Sequence, residues 1–306
     1  MENVSVVNYT STTGTPTTSE GFTYDNNIEA VTDFSTSVGN GYTVISSAPN
    51  ALVQRNGTPN QSSVWYVIDG AGPAYSGVHQ DSYGPLLKSN NLFEGSDNTF
   101  SNGTAATAGN IERLDFTWNT PFTNLNSLAF AVFDRGNAGV HDAFTLAIVT
   151  GVDANGKPTS YGGFLKVAAG WGAATNPVAN QNYTLFRYSN GDNLTANTTA
   201  TENNVQGIGG VVVKASDVTL APGSQIYGYS LMGNDVNPTT ASDLLDVTNT
   251  AVYPANTSDT TGGGIDLAAV NGLEIRQVPE PTGWAWLGVG GCLALTFCAN
   301  RRRRNA

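Results

Sequence analysis

The chain of 306 residues reads as an all-β protein, an antiparallel β-sandwich of jelly-roll type followed by one C-terminal transmembrane helix. Three observations predict this. Short runs of β-branched and aromatic residues alternate with clusters of Gly, Asn, Asp and Pro, the pattern of strands separated by turns. Before the tail, no ten-residue stretch combines helical periodicity with caps, so no helices are on hand to cover a parallel sheet. Near the C-terminus an uncharged apolar run from Trp284 to Ala299 precedes Arg301, Arg302, Arg303 and Arg304.

Taken in order, residues 1–20 are rich in Ser and Thr and are expected to be a flexible lead-in to a sandwich over 21–277. The patterning predicts strands over 42–46, 64–69, 111–118, 128–134, 143–150, 162–168, 183–188, 205–214, 225–232 and 265–276. In 111–118, Leu114, Phe116 and Trp118 share one face, with Asp115 and Thr117 on the other. The runs 128–133 and 143–149 are apolar throughout, as strands buried on both faces are. Asp153-Ala154-Asn155-Gly156 lies between two strand runs and supplies an Asn-Gly hairpin turn. Segments 215–219 and 240–247 have room for a turn of helix, and 255–264 reads as a surface loop. No internal repeat of fixed period is present.

The formal charge is −11; setting aside the four terminal arginines leaves 9 basic against 24 acidic residues, or −15. That sign, with no basic patch to oppose it, argues against a nucleic-acid partner. Only 12% of residues are charged, and Asn, Thr, Ser and Gly abound, as on exported β-rich surfaces. Both cysteines, Cys292 and Cys298, fall in the apolar run. The preceding body therefore has no disulfide, no Cys-ligated metal and no cysteine nucleophile.

Catalytic motifs are not evident, and the chain is read as a non-enzyme. The two histidines, His79 and His141, each stand near a carboxylate, in Val78-His79-Gln80-Asp81 and Val140-His141-Asp142. Their polar settings read as solvated positions rather than as a zinc or general-base pair. No Gly-x-Ser-x-Gly elbow occurs. Gly207-Ile208-Gly209-Gly210 precedes more strand rather than a helix N-terminus, so a β-bulge is expected there and not a phosphate cradle. Glu112 with Asp115, or Asp243 with Asp246, read as surface charges rather than as a glycosidase pair. Asp235, Asn237, Asp243 and Asp246 cluster within a dozen residues, and Asp259 and Asp266 flank a Gly-rich loop; these hard oxygen donors are candidates for a structural calcium ion, against turn-forming roles. No other cofactor is expected. Trp65, Tyr66, Tyr83 and Trp171 would form a sugar-stacking platform if exposed, although Trp65 and Trp118 fall in strand cores.

The tail over 278–306 has three parts with distinct physics. Pro279 and Pro281 cannot continue a helix N-terminally, so 278–281 (Val-Pro-Glu-Pro) is expected to be an extended, accessible strip. The run 284–299 would be about 24 Å long as a helix. Drawing in its neighbours to give 282–300, with arginines snorkelling at one end, makes it long enough to span a bilayer core of about 30 Å. Trp284 and Trp286 stand where an interfacial aromatic belt belongs, and arginine clusters stay on the cytoplasmic side. Residues 1 to about 277 are then outside the cytoplasm, with 301–306 inside.

Val278-Pro279-Glu280-Pro281, the hydrophobic helix and the terminal Arg cluster, in that order, resemble the PEP-CTERM sorting signal of Gram-negative envelope proteins. The resemblance implies that Pro279, Glu280 and Pro281 are the residues read by an exosortase, a membrane-embedded transpeptidase-like protease, in bacteria that make extracellular polysaccharide. Phe133-Asp134-Arg135-Gly136, His141-Asp142-Ala143-Phe144 and Gly262 to Leu267 (GGGIDL) are similar in layout to exosortase-dependent surface proteins. Family members begin with a secretory signal. The opening MENVSVVNYTSTTG has no basic n-region, apolar h-region or cleavage site, and is read as starting downstream of the true start. The expected role is structural or adhesive, in the cell surface or exopolysaccharide matrix. The alternative is a secreted glycan-active enzyme or carbohydrate-binding module on the same sandwich.

Overall fold

The computed structural model describes residues 1–14, 17–19, 22–24, 28–56, 64–68, 91–101, 111–137, 139–172, 177–189, 193–255, 257, 263–268 and 270–279, and for 17–19, 22–24, 64–68, 179–189 and 193–205 the backbone only. The strands are β1 (Glu2–Thr12), β2 (Thr17–Ser19), β3 (Phe22–Tyr24), β4 (Ile28–Thr36), β5 (Gly41–Ser47), β6 (Asn50–Arg55), β7 (Val64–Ile68), β8 (Glu94–Ser96), β9 (Ile111–Thr117), β10 (Leu128–Gly136), β11 (Phe144–Val152), β12 (Pro158–Val167), β13 (Val178–Ser189), β14 (Asn193–Lys214), β15 (Gly228–Gly233) and β16 (Leu273–Gln277). The protein is all-β with antiparallel sheets. One sheet has nine strands in the order β1-β4-β5-β16-β10-β14-β13-β7-β8, and a second has five in the order β12-β11-β15-β9-β6.

The two sheets pack face to face. Leu128, Phe130 and Val132 from β10, with Val211 and Val213 from β14, meet Leu114, Phe116, Phe144, Leu146, Ile148, Tyr229 and Leu231 from the smaller sheet. The rings of Phe130 and Tyr229 are 4.6 Å apart and those of Phe116 and Tyr229 are 5.3 Å apart, within the range where aromatic pairs attract. Each such fully buried ring contributes about 1.5–3 kcal/mol through removal from water.

The residues alternating with these, Ala129, Ala131 and Phe133, are equally buried but face away from the sandwich. They are covered because the large sheet closes on itself. Glu2 and Asn3 of β1 pair with Val212 and Val211 of β14, completing a ring of β1, β4, β5, β16, β10 and β14. Val4, Val31, Phe34, Tyr42, Leu273 and Ile275 fill its interior. The Ser/Thr-rich start, expected from composition to be flexible, is therefore a strand through Thr12, because Glu2 and Val4 have buried partners that composition does not reveal.

Glu2 locks this closure. Its carboxylate accepts from the Thr36 hydroxyl at 2.9 Å, the Asn40 amide at 2.7 Å and the Tyr42 hydroxyl at 3.1 Å, and it pairs with Lys214. Burial by itself would raise its pKa, but the bonds from Lys214, Thr36 and Asn40 outweigh that and hold it below the usual glutamate value.

The smaller sheet is covered on its outer face too. Ala147, Val149, Tyr161 and Met232 form an apolar layer under Val236, Leu244, Val252 and Tyr253. A 3₁₀ turn, Ala241–Leu245, lies in the expected 240–247 window; Ala215–Asp217 is another, within 215–219. Asp115 and Thr117, expected on a polar face, are fully buried, Asp115 beneath this layer beside Tyr161 and Thr117 donating to the Gly156 carbonyl at 2.6 Å. The Asn-Gly hairpin joins β11 and β12 as predicted, with Gly156 at φ +80 and the Asp153 Oδ1 accepting from the Asn155 and Lys157 amides at 2.8 and 2.9 Å.

Candidate functional site

The residues singled out in the sequence fall at the point where the tail leaves the body, in two buried polar networks, and in scattered turns.

The last strand hands the chain out abruptly. Leu273 and Ile275 of β16 are fully buried, and Arg276 pairs with Glu274 and donates to the Asn124 carbonyl at 2.7 Å. The Val278 amide then donates to the Gly41 carbonyl at 2.9 Å, the final tie to the body among the described residues. Pro279 borders a hollow of about 340 Å³ shared with Asn124, Asn126, Ser127 and Gln277. Glu280 and Pro281, with 282–300 and the arginines 301–304, lie outside the described residues. No helix among the described residues is long and apolar enough to cross a membrane.

The buried cluster unites the three body segments named above. Asp134 and Arg135 come from β10, His141 and Asp142 from the loop after it, and Asp266 from the segment 263–268. That segment forms backbone bonds to Phe133 and Arg135 on one side and to Ser96, Thr99 and Phe100 on the other. The Asp134 carboxylate accepts from the Asp266 amide at 2.7 Å and the Asp142 amide at 3.1 Å, and its Oδ2 lies 3.3 Å from His141 Nδ1. The Arg135 guanidinium bridges Asp97, Gln206 and Asp266. The other Asp266 oxygen accepts from the Asn98 amide at 2.7 Å. Burial pushes the Asp266 carboxyl well above its ordinary range, and the negative charge of Asp97 adds to this against the pull of Arg135.

His141 is fully buried, not solvated as its setting in the sequence implies. Its ring stacks on Trp171 at 4.8 Å, and the indole Nε1 donates to the Asp142 carbonyl at 2.7 Å. The ring also presses on backbone: a Cβ at Gly209 would stand 2.0 Å from Nε2, and one at Gly172 would stand 2.9 Å from Cδ2. Gly209 thus makes room for this imidazole and Gly210 for Phe133. They run in unbroken register with β10; the expected irregularity falls on the β13 side, between Ile208 and Gln206. With its acceptors turned onto the chain's own donors, the cluster is suited to fastening strands together.

A second buried network holds the outer layer. Arg113 and Asp115 are both fully buried, with Nε to Oδ1 at 2.6 Å, and Asp115 also accepts from the Ser230 hydroxyl at 2.6 Å and the Tyr161 hydroxyl at 3.3 Å. Arg113 and the Tyr253 hydroxyl both donate to the Leu244 carbonyl at the end of the 3₁₀ turn. Burial works to lower the Arg113 pKa, but the charge of Asp115 overrides it and raises the value. Glu112 is buried as well, so neither member of that carboxylate pair is a surface charge.

The calcium candidates do different things. Asp235 accepts from the Thr257 hydroxyl, and burial raises its pKa. Asp243 caps the 3₁₀ turn by accepting from the Thr240 and Thr239 amides at 2.7 and 2.9 Å, which lowers its pKa. Asp246 accepts from the Thr248 hydroxyl and amide, which lowers its pKa too. Asn237 is exposed, and its amide donates to the Val252 carbonyl. Among the described residues no group of three or more His, Cys, Asp or Glu side chains is placed to hold a metal ion. Of the aromatic platform, Trp171 is buried against His141 and Phe144. The side chains of Trp65 and Tyr66, and residues His79, Tyr83 and Asp259, lie outside what is described.

Compared with known proteins, the chain matches no family model, no curated protein and no solved structure.

Proposed function

We propose that this chain is an exported cell-envelope protein with a structural or adhesive role in the surface or exopolysaccharide matrix, sorted through its C-terminal signal. In this reading 282–300 spans the bilayer as one helix, Arg301 to Arg304 hold the C-terminus in the cytoplasm, and Pro279, Glu280 and Pro281 are the strip taken by an exosortase-type membrane protease. The observation that carries it is the end of β16. The body completes its core with Leu273 and Ile275 and releases the chain two residues after Gln277, so the proline strip begins where the packed sheet stops.

A non-catalytic role is supported by the way the buried ionisable groups are used. Asp115, Asp134, Arg113 and Arg135 are spent on holding segments of the body together. The test follows the protein in its natural host. The triple change Pro279→Ala, Glu280→Ala, Pro281→Ala is expected to leave a longer, membrane-bound product, while the unaltered chain is shortened and moves outward. Unchanged size and location would remove the sorting assignment.

A further inference from the structure

We propose that the end of the body from which the tail leaves is a lipid-docking face, with the turn 36–41 in the headgroup region and Val38 entering the bilayer interface. The inference rests on the reading of 282–300 as a membrane span, and adds which face of the body meets the lipid.

The leash is short. Val278 is tied to Gly41, and Trp284 begins the apolar run six residues later. Six residues reach at most about 20 Å when fully extended. β10 starts at this end, where Leu128 pairs with Arg276, and runs away from it to Gly136. That distance is about 26 Å at a strand rise of ~3.3 Å per residue. The far end of the body is therefore beyond the reach of the leash, and the near end is held over the membrane.

The chemistry of the near end suits that position. Turn tips favour Gly, Pro, Asn, Asp and Ser, yet the tip of the β4–β5 turn carries Val38, 66% exposed and the most exposed large apolar side chain among the described residues. It stands three residues from Gly41, and Val278 beside that glycine is itself 47% exposed. Around this end, three ion pairs form: Lys214 with Glu2, Arg276 with Glu274, and the Met1 amine with Asp217. A chain with so large an acidic excess is repelled by an anionic leaflet wherever its carboxylates are unpaired. At this end Glu2, Glu274 and Asp217 each have a cationic neighbour.

The experiment uses the full chain with Cys292→Ser and Cys298→Ser, carrying a polarity-sensitive fluorophore at Val38→Cys or, for comparison, at Val140→Cys. Val140 follows β10 at the far end and is 64% exposed, so both labels begin in water. The protein is reconstituted into vesicles of phosphatidylcholine and phosphatidylglycerol in equal parts. The label at 38 is expected to brighten several-fold with a blue shift and to be quenched by spin-labelled lipid, while the label at 140 stays as in buffer. A vesicle-bound protein in which position 38 stays aqueous, or in which position 140 responds instead, overturns the docking face and leaves the membrane span standing. Protein that fails to sediment with vesicles overturns the span, and the docking face with it.

Discussion

Gly209 owes its identity to the imidazole lying against it. The position is mid-strand, paired with Asp134, where a β-branched residue would ordinarily be favoured. A methyl group there would meet His141 Nε2 at 2.0 Å, and the ring cannot retreat because Trp171 is stacked on it and Gly172 backs it. Gly209→Ala is therefore expected to destabilise the protein by about 1–3 kcal/mol, the usual cost of overpacking a closed site, read as a lowered urea midpoint with an unchanged slope. Combining it with His141→Ala should cost less than the sum of the two changes, with a coupling of about 0.5–3 kcal/mol, because the second change removes the clash created by the first. Strict additivity would mean that ring and glycine do not share the space. The sequence announced His141 and Asp142 as neighbours but gave no sign of this role. Asp134 is reached through the turn of β10 into β11 and Trp171 only after the whole β11–β12 hairpin, and the packing of a ring on backbone leaves no pattern except the glycines, which also suit a bulge.

The segment over the smaller sheet is fastened through one buried ion pair and a few hydroxyls. Arg113 neutralises Asp115 and at the same time reaches the Leu244 carbonyl. Arg113→Met strands Asp115 as an uncompensated buried charge and should cost about 3–5 kcal/mol. Arg113→Met with Asp115→Leu should recover most of that loss, since a matched apolar pair satisfies the same space without desolvated charge. Urea unfolding of the single and double variants decides it: a double variant as weak as the single would place the value of the pair in its bonds to Leu244, Ser230 and Tyr161 instead. The strands themselves were legible. The doubly apolar runs became β10 and β11, and the Asn-Gly turn became their neighbour's hairpin, because those signals are local. The polar face of β9 was misread for the opposite reason. Alternation says which residues share a side, and only the covering segment 236–253, far along the chain, decides whether that side meets water. Of the strands missed, β2, β3 and β8 are only three residues long, too short for alternation to register, and β1, β4 and β6 carry mixed polar faces whose apolar members find cover only in the closed ring or at the sheet edge.

For the whole molecule, the feature least visible in the sequence is the closure of the ring, because it depends on Glu2 and Asn3 meeting β14 more than 200 residues later. Hydrophobic patterning predicts that β10 is buried on two faces, but not that one of those faces looks into a sandwich and the other into a closed barrel. This double core has a consequence for alkaline stability. Tyr42 lies inside the ring, Tyr229 between the sheets, and Tyr161 and Tyr253 under the outer layer, so each compartment holds a buried phenol. Burial raises the pKa of all four above the ordinary value, and for Tyr253 to about 12. An acid whose folded pKa is raised binds its proton more tightly in the folded chain than in the unfolded one. Its contribution is complete below pH 10 and disappears as the pH climbs through the folded value. For Tyr253 alone the window from 10.0 to about 12 corresponds to about 3 kcal/mol, at 1.36 kcal/mol per pH unit. Alkaline titration should therefore show the exposed tyrosines ionising first with near-ultraviolet circular dichroism intact. The buried group should then ionise together with the loss of that signal, in one step above pH 10, because β10 and β14 wall both the ring and the core between the sheets, and β11 and β15 wall both that core and the outer layer. Tyr253→Phe should move the step to higher pH. Ionisation of all the tyrosines near pH 10 with the fold preserved would mean that these phenols see water, and that the ring and the outer layer are not closed.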